Sequence, residues 1–233
     1  MLSVYDLQAG YDETMILRNV QLKIPKGKIV GLLGRNGVGK TTLIKVLMGL
    51  LPVVHGKIQF EEKEWRNERP EHRARAGMAY VPQGREIFSD LTIKENLLLG
   101  MEAIPKSKRS SVIPQEIFEW FPVLEEMINR KGGDLSGGQQ QQLAIARAII
   151  SNPKLLLLDE PMEGIQPSII QLIQDVLVKI SREKEMSILL VEHNLDAVLA
   201  CADLYYILDK GRMVMNGQCD EINEDELQKH LAV

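Results

Sequence analysis

The chain has 233 residues, 45% of them hydrophobic and 26% charged, with a net charge of −4 at pH 7. That composition supports one large domain, or a core with one insertion, and the mildly acidic balance argues against a dedicated nucleic-acid binder. Cys201 and Cys219 are the only cysteines; they match no metal-ligand spacing and read as thiols rather than a disulfide framework.

The N-terminus, Met1-Leu2-Ser3-Val4-Tyr5-Asp6, has no basic segment followed by a long apolar one, and no stretch is long enough to span a bilayer. A cytosolic chain is expected, which would act at a membrane only through other chains that cross it. Residues 2–8 and 16–24 read as strands, with Pro25-Lys26-Gly27-Lys28 as a turn. Ile29-Val30-Gly31-Leu32-Leu33 reads as a buried strand. It runs into Gly34-Arg35-Asn36-Gly37-Val38-Gly39-Lys40-Thr41-Thr42, and a helical pattern follows through Leu43, Ile44, Val46 and Leu47, closed by Pro52. A glycine-rich loop between a buried strand and a helix is the context that makes this Walker A pattern a phosphate site. Gly34, Gly37 and Gly39 let successive backbone N–H groups point into one concavity. The helix N-terminus adds roughly half a positive charge. Lys40 can reach the β- and γ-phosphates and the Thr41 hydroxyl can ligate Mg²⁺. All nine residues of the loop, Arg35, Asn36, Val38 and Thr42 included, are expected nucleotide contacts.

Residues 57–60 read as a strand, 66–75 as a charged loop and helix, and 78–81 as a short buried strand ending at Pro82-Gln83. Thr92-Ile93-Lys94-Glu95 is a capping-box pattern that opens a helix. Residues 105–111 read as a loop, and 114–121 and 123–129 as short amphipathic helices whose Trp120 and Phe121 belong to a core. Residues 88–152 thus read as a helical insertion in an α/β core. Leu155-Leu156-Leu157-Leu158 returns as a strand covered on both faces. A helix follows over 169–180, then strands at 187–191 and 204–208. Asp209-Lys210-Gly211 reads as a hairpin turn into 213–215, and 224–231 as a surface helix.

The chemistry gathers at strand ends. Asp159, after the four leucines, can hold Mg²⁺ through water, and Glu160 can act as general base on the attacking water. Gln83 can meet both the metal and that water, so the expected metal set is Thr41, Gln83 and Asp159. A neutral His193 can contact the γ-phosphate. His55, His72 and His230 receive no role. Leu135-Ser136-Gly137-Gly138-Gln139 precedes a helix over 140–150 and forms a second anion surface. One nucleotide does not need both surfaces from one chain, so a head-to-tail pair sharing each nucleotide is the economical arrangement.

Taken together, the Walker A loop, Gln83, the Leu135-Ser136-Gly137-Gly138-Gln139 signature, the Leu155–Asp159 strand, Glu160 and His193 resemble, in order and spacing, the ATP-binding subunits of ABC transporters over essentially the whole chain. The resemblance implies a RecA-like α/β core with an antiparallel β subdomain and a helical subdomain. It implies one ABC ATPase domain over 1–233, with the core and β subdomain at 1–87 and 153–233 and the helical part at 88–152. It also implies ATP and Mg²⁺ as ligands, with Tyr11 stacking on adenine and Tyr5 the weaker candidate. The partners implied are a second ATPase subunit, identical or different, transmembrane permease subunits and, indirectly, a periplasmic solute-binding protein. The expected location is the cytoplasmic face of the inner membrane, with no nucleic-acid partner.

Met162-Glu163-Gly164-Ile165-Gln166-Pro167 departs from the Ser-Ala-Leu-Asp common after the catalytic glutamate. It resembles the subfamily that imports branched-chain amino acids and related amides. Gly84-Arg85-Glu86-Ile87-Phe88, the Gly132-Gly133-Asp134 lead-in and the Gln140-Gln141-Gln142 run look most like the second ATP-binding subunit of urea transporters, although Met162 stands where those have threonine. Urea uptake is therefore the expected function, with branched-chain amino acid import as the alternative. Residues 84–88 and 114–124 are expected to line a permease-docking groove. DNA-repair and ribosome-associated members of the superfamily fit less well. Between Gln83 and Leu135 there is no room for a coiled coil or zinc module, and only one Walker A loop exists.

Overall fold

The structure is a computed structural model that describes residues 1–66 and 68–222; the helix expected over 224–231 lies outside the described residues. The first strands are β1 (Leu2–Tyr11), β2 (Thr14–Ile24) and β3 (Ile29–Leu33), followed by helix α1 (Lys40–Leu47). Then come β4 (His55–Phe60), β5 (Lys63–Glu64), α2 (Pro70–Arg75) and β6 (Met78–Val81). The helical stretch carries α3 (Ile93–Gly100), α4 (Gln115–Trp120), α5 (Pro122–Glu126) and α6 (Gly137–Ile149). The chain returns through β7 (Leu155–Asp159), α7 (Pro167–Glu183), β8 (Ser187–Glu192), α8 (Leu195–Leu199), β9 (Leu204–Asp209) and β10 (Arg212–Gln218). Helix α8 and the short strand β5 are elements that sequence pattern does not announce.

The strands form two sheets. An antiparallel sheet has the order β2-β1-β4-β5, and a six-stranded sheet the order β10-β9-β3-β8-β7-β6. Within the second, β6 through β9 pair in parallel and only β10 is antiparallel. This is the expected α/β fold, and the continuous apolar runs explain it. Leu156, Leu158, Ile188 and Leu190 face a core shared with α3, α4, α5, α6 and α7. Leu155, Leu157, Leu189 and Val191 face the opposite way, into a core shared with α1 and the antiparallel sheet. Strand side chains alternate between faces, so a run apolar at every position needs cover on both.

Two close approaches fix neighbouring elements. A Cβ on Gly31 would sit 2.2 Å from Val198 Cγ1, so α8 can press onto β3 only at a glycine. The β9–β10 hairpin turns on Lys210 (φ +43) and Gly211 (φ +75), the left-handed pair that a two-residue turn requires.

The far end of α1 is clasped by a buried cation. Arg73 is fully buried. Its Nη1 donates to the carbonyls of Val46 (3.0 Å) and Leu47 (2.6 Å), and its Nε donates to that of Glu68 (3.2 Å). Val46 and Leu47 present carbonyls of the last turn of α1, of which Val46 also accepts from Gly49 N–H at 3.0 Å, and Glu68 presents a loop carbonyl before α2. Arg73→Met is expected to strand them and to lower unfolding stability by roughly 2–4 kcal/mol. Urea denaturation measures this; a midpoint equal to wild type would show that the clasp contributes nothing net.

Candidate active site

Strand β3 delivers the loop and α1 begins at Lys40, with Gly39 at its N-cap (φ +113). Gly37 (φ +78) takes the other left-handed position of the loop. A side chain on Gly39 would meet Leu17 Cδ2 at 3.0 Å, so the loop lies close against β2. The Lys40 ammonium is buried and folded back. Its Nζ donates to the carbonyls of Gly34 (2.7 Å) and Arg35 (3.1 Å) and pairs with Glu160 Oε1 at 3.2 Å.

A cleft of about 350 Å³ opens over this loop. Asn36, Gly37, Gly39, Lys40, Thr41, Thr42, Gln83, Glu160 and Tyr11 line it, together with Ile16. The structure therefore gathers Tyr11, from the end of β1, with the loop, the end of β6 and the end of β7. Gly34, Arg35 and Val38 belong to the loop but do not line the cleft, and the Arg35 side chain is exposed. Asp159 lies behind the cleft and His193 is exposed outside it. Ile16 adds an apolar wall beside Tyr11. Its position in β2 gives no local signal, because it reaches the cleft only through sheet pairing.

The carboxylates differ sharply in setting. Glu160 takes φ +48 and lies mostly covered. Its Oε2 accepts from Gln83 Nε2 at 3.0 Å, and the same amide donates to Glu163 Oε2 at 2.9 Å. Asp159 is 1% exposed; the Thr41 and Tyr80 hydroxyls lie near it, but neither carboxylate oxygen makes a well-formed hydrogen bond among the described residues. Burial pushes its pKa up; the nearby Thr41 hydroxyl, Lys40 and Lys45 oppose that shift, and Glu160 adds to it. A buried carboxylate close to the Thr41 hydroxyl, with Gln83 lining the same cleft as Thr41, fits Mg²⁺, whose remaining positions water and phosphate oxygens would complete. Among the described residues no three His, Cys, Asp or Glu side chains cluster as a metal site made by protein alone.

The second anion surface is separate. Ser136 caps α6: its Oγ accepts from Gln139 N, while its own N–H donates to Gln139 Oε1 at 2.9 Å. The capping box thus engages the serine oxygen and leaves its hydroxyl hydrogen to donate outward. Ser136, Gly137, Gly138 and Gln139 line a hollow of about 500 Å³ together with Gly164, Ile165 and Gln166, and it shares no residue with the cleft. A third groove, about 410 Å³, runs between β6, α3 and α6 past exposed Phe88 and Leu99. Of the residues expected to line a docking groove, Phe88 is in it and 114–124 are not.

Asp159→Asn is expected to remove a buried ion and to stabilise the nucleotide-free chain by about 1–2 kcal/mol. It is also expected to abolish the extra thermal protection that Mg²⁺ adds to ATP. Melts with ATP, with and without Mg²⁺, check both; a wild-type response to Mg²⁺ would take Asp159 out of the metal set.

The arrangement has close counterparts. The family described as ABC transporter matches residues 17–163. The branched-chain amino acid transport ATP-binding protein BraG of Pseudomonas aeruginosa is 40% identical over 93% of this chain and 92% of its own length. A probable branched-chain amino acid transport ATP-binding protein, LivF of Archaeoglobus fulgidus, is 36% identical over 100% of this chain and 98% of its own. Among solved structures, the dimeric ATP-binding cassette MJ0796 in a post-hydrolysis state with ADP and Pi superposes with a TM-score of 0.82, 25% identity, and coverage of 94% of this chain and 99% of that one. Matched by the family over residues 17–163 and by such relatives over nearly its whole length, the chain belongs to the ABC transporter family as an ATP-binding subunit and is an ATPase.

Proposed function

We propose that this chain powers an ABC importer of branched-chain amino acids as one of two head-to-tail ATPase subunits, each nucleotide being shared between them. The observation that carries the shared site is the separation of the two anion surfaces. One chain presents the Lys40 cleft and, apart from it, the Ser136–Gln139 hollow, so a second subunit, identical or different, is needed to bring them onto one nucleotide. The 1–233 unit divides into core and β parts at 1–87 and 153–233 and a helical part at 88–152.

In this reading the loop from Gly34 to Thr42 cradles the phosphates and Tyr11 stacks on adenine, a contact of roughly 1–3 kcal/mol. Thr41, Asp159 and Gln83 hold Mg²⁺, which when bound neutralises phosphate charge. Lys40 now shares its charge with Glu160 at 3.2 Å. Phosphate oxygens would draw that ammonium away and leave the Glu160 carboxylate to accept the proton of the attacking water. His193 contacts the γ-phosphate from the end of β8, and the partner's signature residues close the site. Glu160→Gln keeps the shape but cannot take the proton. Turnover is expected to fall by roughly 10²–10⁴-fold with ATP binding intact. A variant within a few-fold of wild type would remove Glu160 from this role.

No described helix is long and apolar enough to cross a membrane. In this reading the chain works at the cytoplasmic face of the inner membrane by docking permease subunits, as its ABC transporter relatives suggest, and the groove beside Phe88 offers them an apolar seat; a periplasmic binding protein acts on the far side. The solute rests on the relatives. Sequence resemblance alone favoured urea through Gly84 to Phe88 and the glutamine run, whereas BraG and LivF carry branched-chain amino acid transport in their names. The ATP-facing residues cannot discriminate between these, because they read only the nucleotide. Gene deletion followed by uptake of labelled leucine and labelled urea is the deciding experiment. Loss of leucine uptake with urea uptake preserved is expected; the reverse would return the solute to urea.

A further inference from the structure

The chain leaves β7 at Asp159 and turns at once through Glu160, whose φ of +48 is a costly conformation for a residue with a side chain. Such a conformation persists only where its surroundings hold it. Glu163 N–H closes the turn on the Glu160 carbonyl at 3.3 Å, and two further N–H groups tie it to the end of β8. Glu160 N–H donates to the Val191 carbonyl at 2.9 Å. Met162 N–H donates to Glu192 Oε1 at 3.0 Å. The Met162 side chain is buried as well, with Gln174 Nε2 at 3.8 Å from its sulfur and donating to the Ala197 carbonyl at 3.1 Å.

Glu192 is an unusual choice for that position. It is 1% exposed, and among the described residues no lysine or arginine pairs with it. Burial, with Glu160 and Glu163 adding to it, pushes its pKa to about 7, against the pull of the Met162 and His193 N–H groups. An aliphatic side chain would suit the surroundings better, but it could not accept the Met162 N–H. The Glu160 carboxylate at the head of this turn lies 3.2 Å from Lys40 Nζ and 3.0 Å from Gln83 Nε2, so its aim depends on the turn.

We propose that Glu192 is a positioning residue for ATP hydrolysis: by accepting the Met162 N–H, its buried carboxyl holds the left-handed turn that aims the Glu160 carboxylate into the cleft. The inference rests on Glu160 being the general base. Sequence reading passes over Glu192 because it stands beside His193 and looks like the polar end of a strand.

The test is steady-state ATPase of the full chain, assembled with its permease partners, alongside thermal melts. Glu192→Met fills the space without an acceptor. It is expected to melt at or above the wild-type temperature and yet to lose kcat by at least about tenfold, because small misplacements of a reacting group are costly. The KM for ATP should stay within about threefold, since the phosphate loop is untouched. Glu192→Gln restores an oxygen for Met162 N–H and is expected to recover kcat to within about fivefold of wild type. Should methionine prevent folding, Glu192→Thr, too short to reach the turn, replaces it with the same expectation. A wild-type kcat in the methionine or threonine variant overturns the proposal, as does a glutamine variant no faster than they are. Glu160→Gln run in parallel separates the two readings: if it hydrolyses ATP normally the base assignment fails, whereas an inactive Glu160→Gln beside a fully active Glu192→Met sinks the positioning role alone.

Discussion

Leu33 lies opposite Glu192, Asp159 opposite Val191 and Val81 opposite Leu158 in the parallel ladder. Four strands therefore reach the same edge of the sheet in step, and each releases a piece of the site there. The phosphate loop follows Leu33, Gln83 follows Val81, Asp159 closes β7 and Glu192 closes β8. Ligand sites at the carboxyl ends of parallel strands are the rule for such sheets. Register is the constraint beneath it. A slip of one residue would exchange the leucines of β7 between the two cores and turn Asp159 away from Thr41. The two hydrophobic cores thus hold the chemistry in place, because each strand is pinned by apolar side chains on both faces.

The edge concentrates charge that the folded chain must manage without a nucleotide. Lys40 is satisfied by two loop carbonyls and by Glu160. Gln83 spans Glu160 and Glu163. Lys40 and Lys45 only partly offset the burial of Asp159, and no lysine or arginine among the described residues pairs with Glu192, so burial raises the proton affinity of both. Sites that bind anions and metals carry such unfavourable groups because the ligand supplies what the protein leaves out. Asp159 precedes the Glu160 to Met162 turn directly and Glu192 reaches it through the Met162 N–H, so strain, burial and reactivity meet at one short segment.

The cleft is also wired to the helical stretch. Arg147 of α6 donates to the Glu86 carbonyl at 2.7 Å and lies over the Phe88 ring at 5.2 Å. A Cβ on Gly137 would meet the Arg85 guanidinium at 3.0 Å. The segment just beyond Gln83 is thereby bound to both ends of the helix that Ser136 caps. Movement of Gln83 toward a nucleotide would be felt at the signature and at the groove beside Phe88, since the contacts between them are close-packed rather than loose.

The sequence by itself determined the phosphate loop, the strands that flank it and the chemical character of Asp159, Glu160 and Gln83, because each is written in a short window: glycine spacing, a continuous apolar run, a polar residue directly after it. The capping box at Thr92 was legible for the same reason and is present; the one at Ser136, which starts α6 at Gly137 rather than at 140, was not read from the sequence. Tertiary structure alone decided what depends on residues far apart in the chain. It buried Asp159 completely, where four leucines followed by two acids suggest a strand leaving the core. It brought Ile16 to the cleft through strand pairing, packed α8 onto β3 at Gly31, and left His193 exposed outside the cleft. It set the Ser136 hollow apart from the Lys40 cleft, and it joined Glu192 to Met162 across 30 positions of sequence. Periodicity reports which face of an element is apolar, but not what will cover that face; only the assembled cores fix which polar group is sealed inside and which partner it finds there.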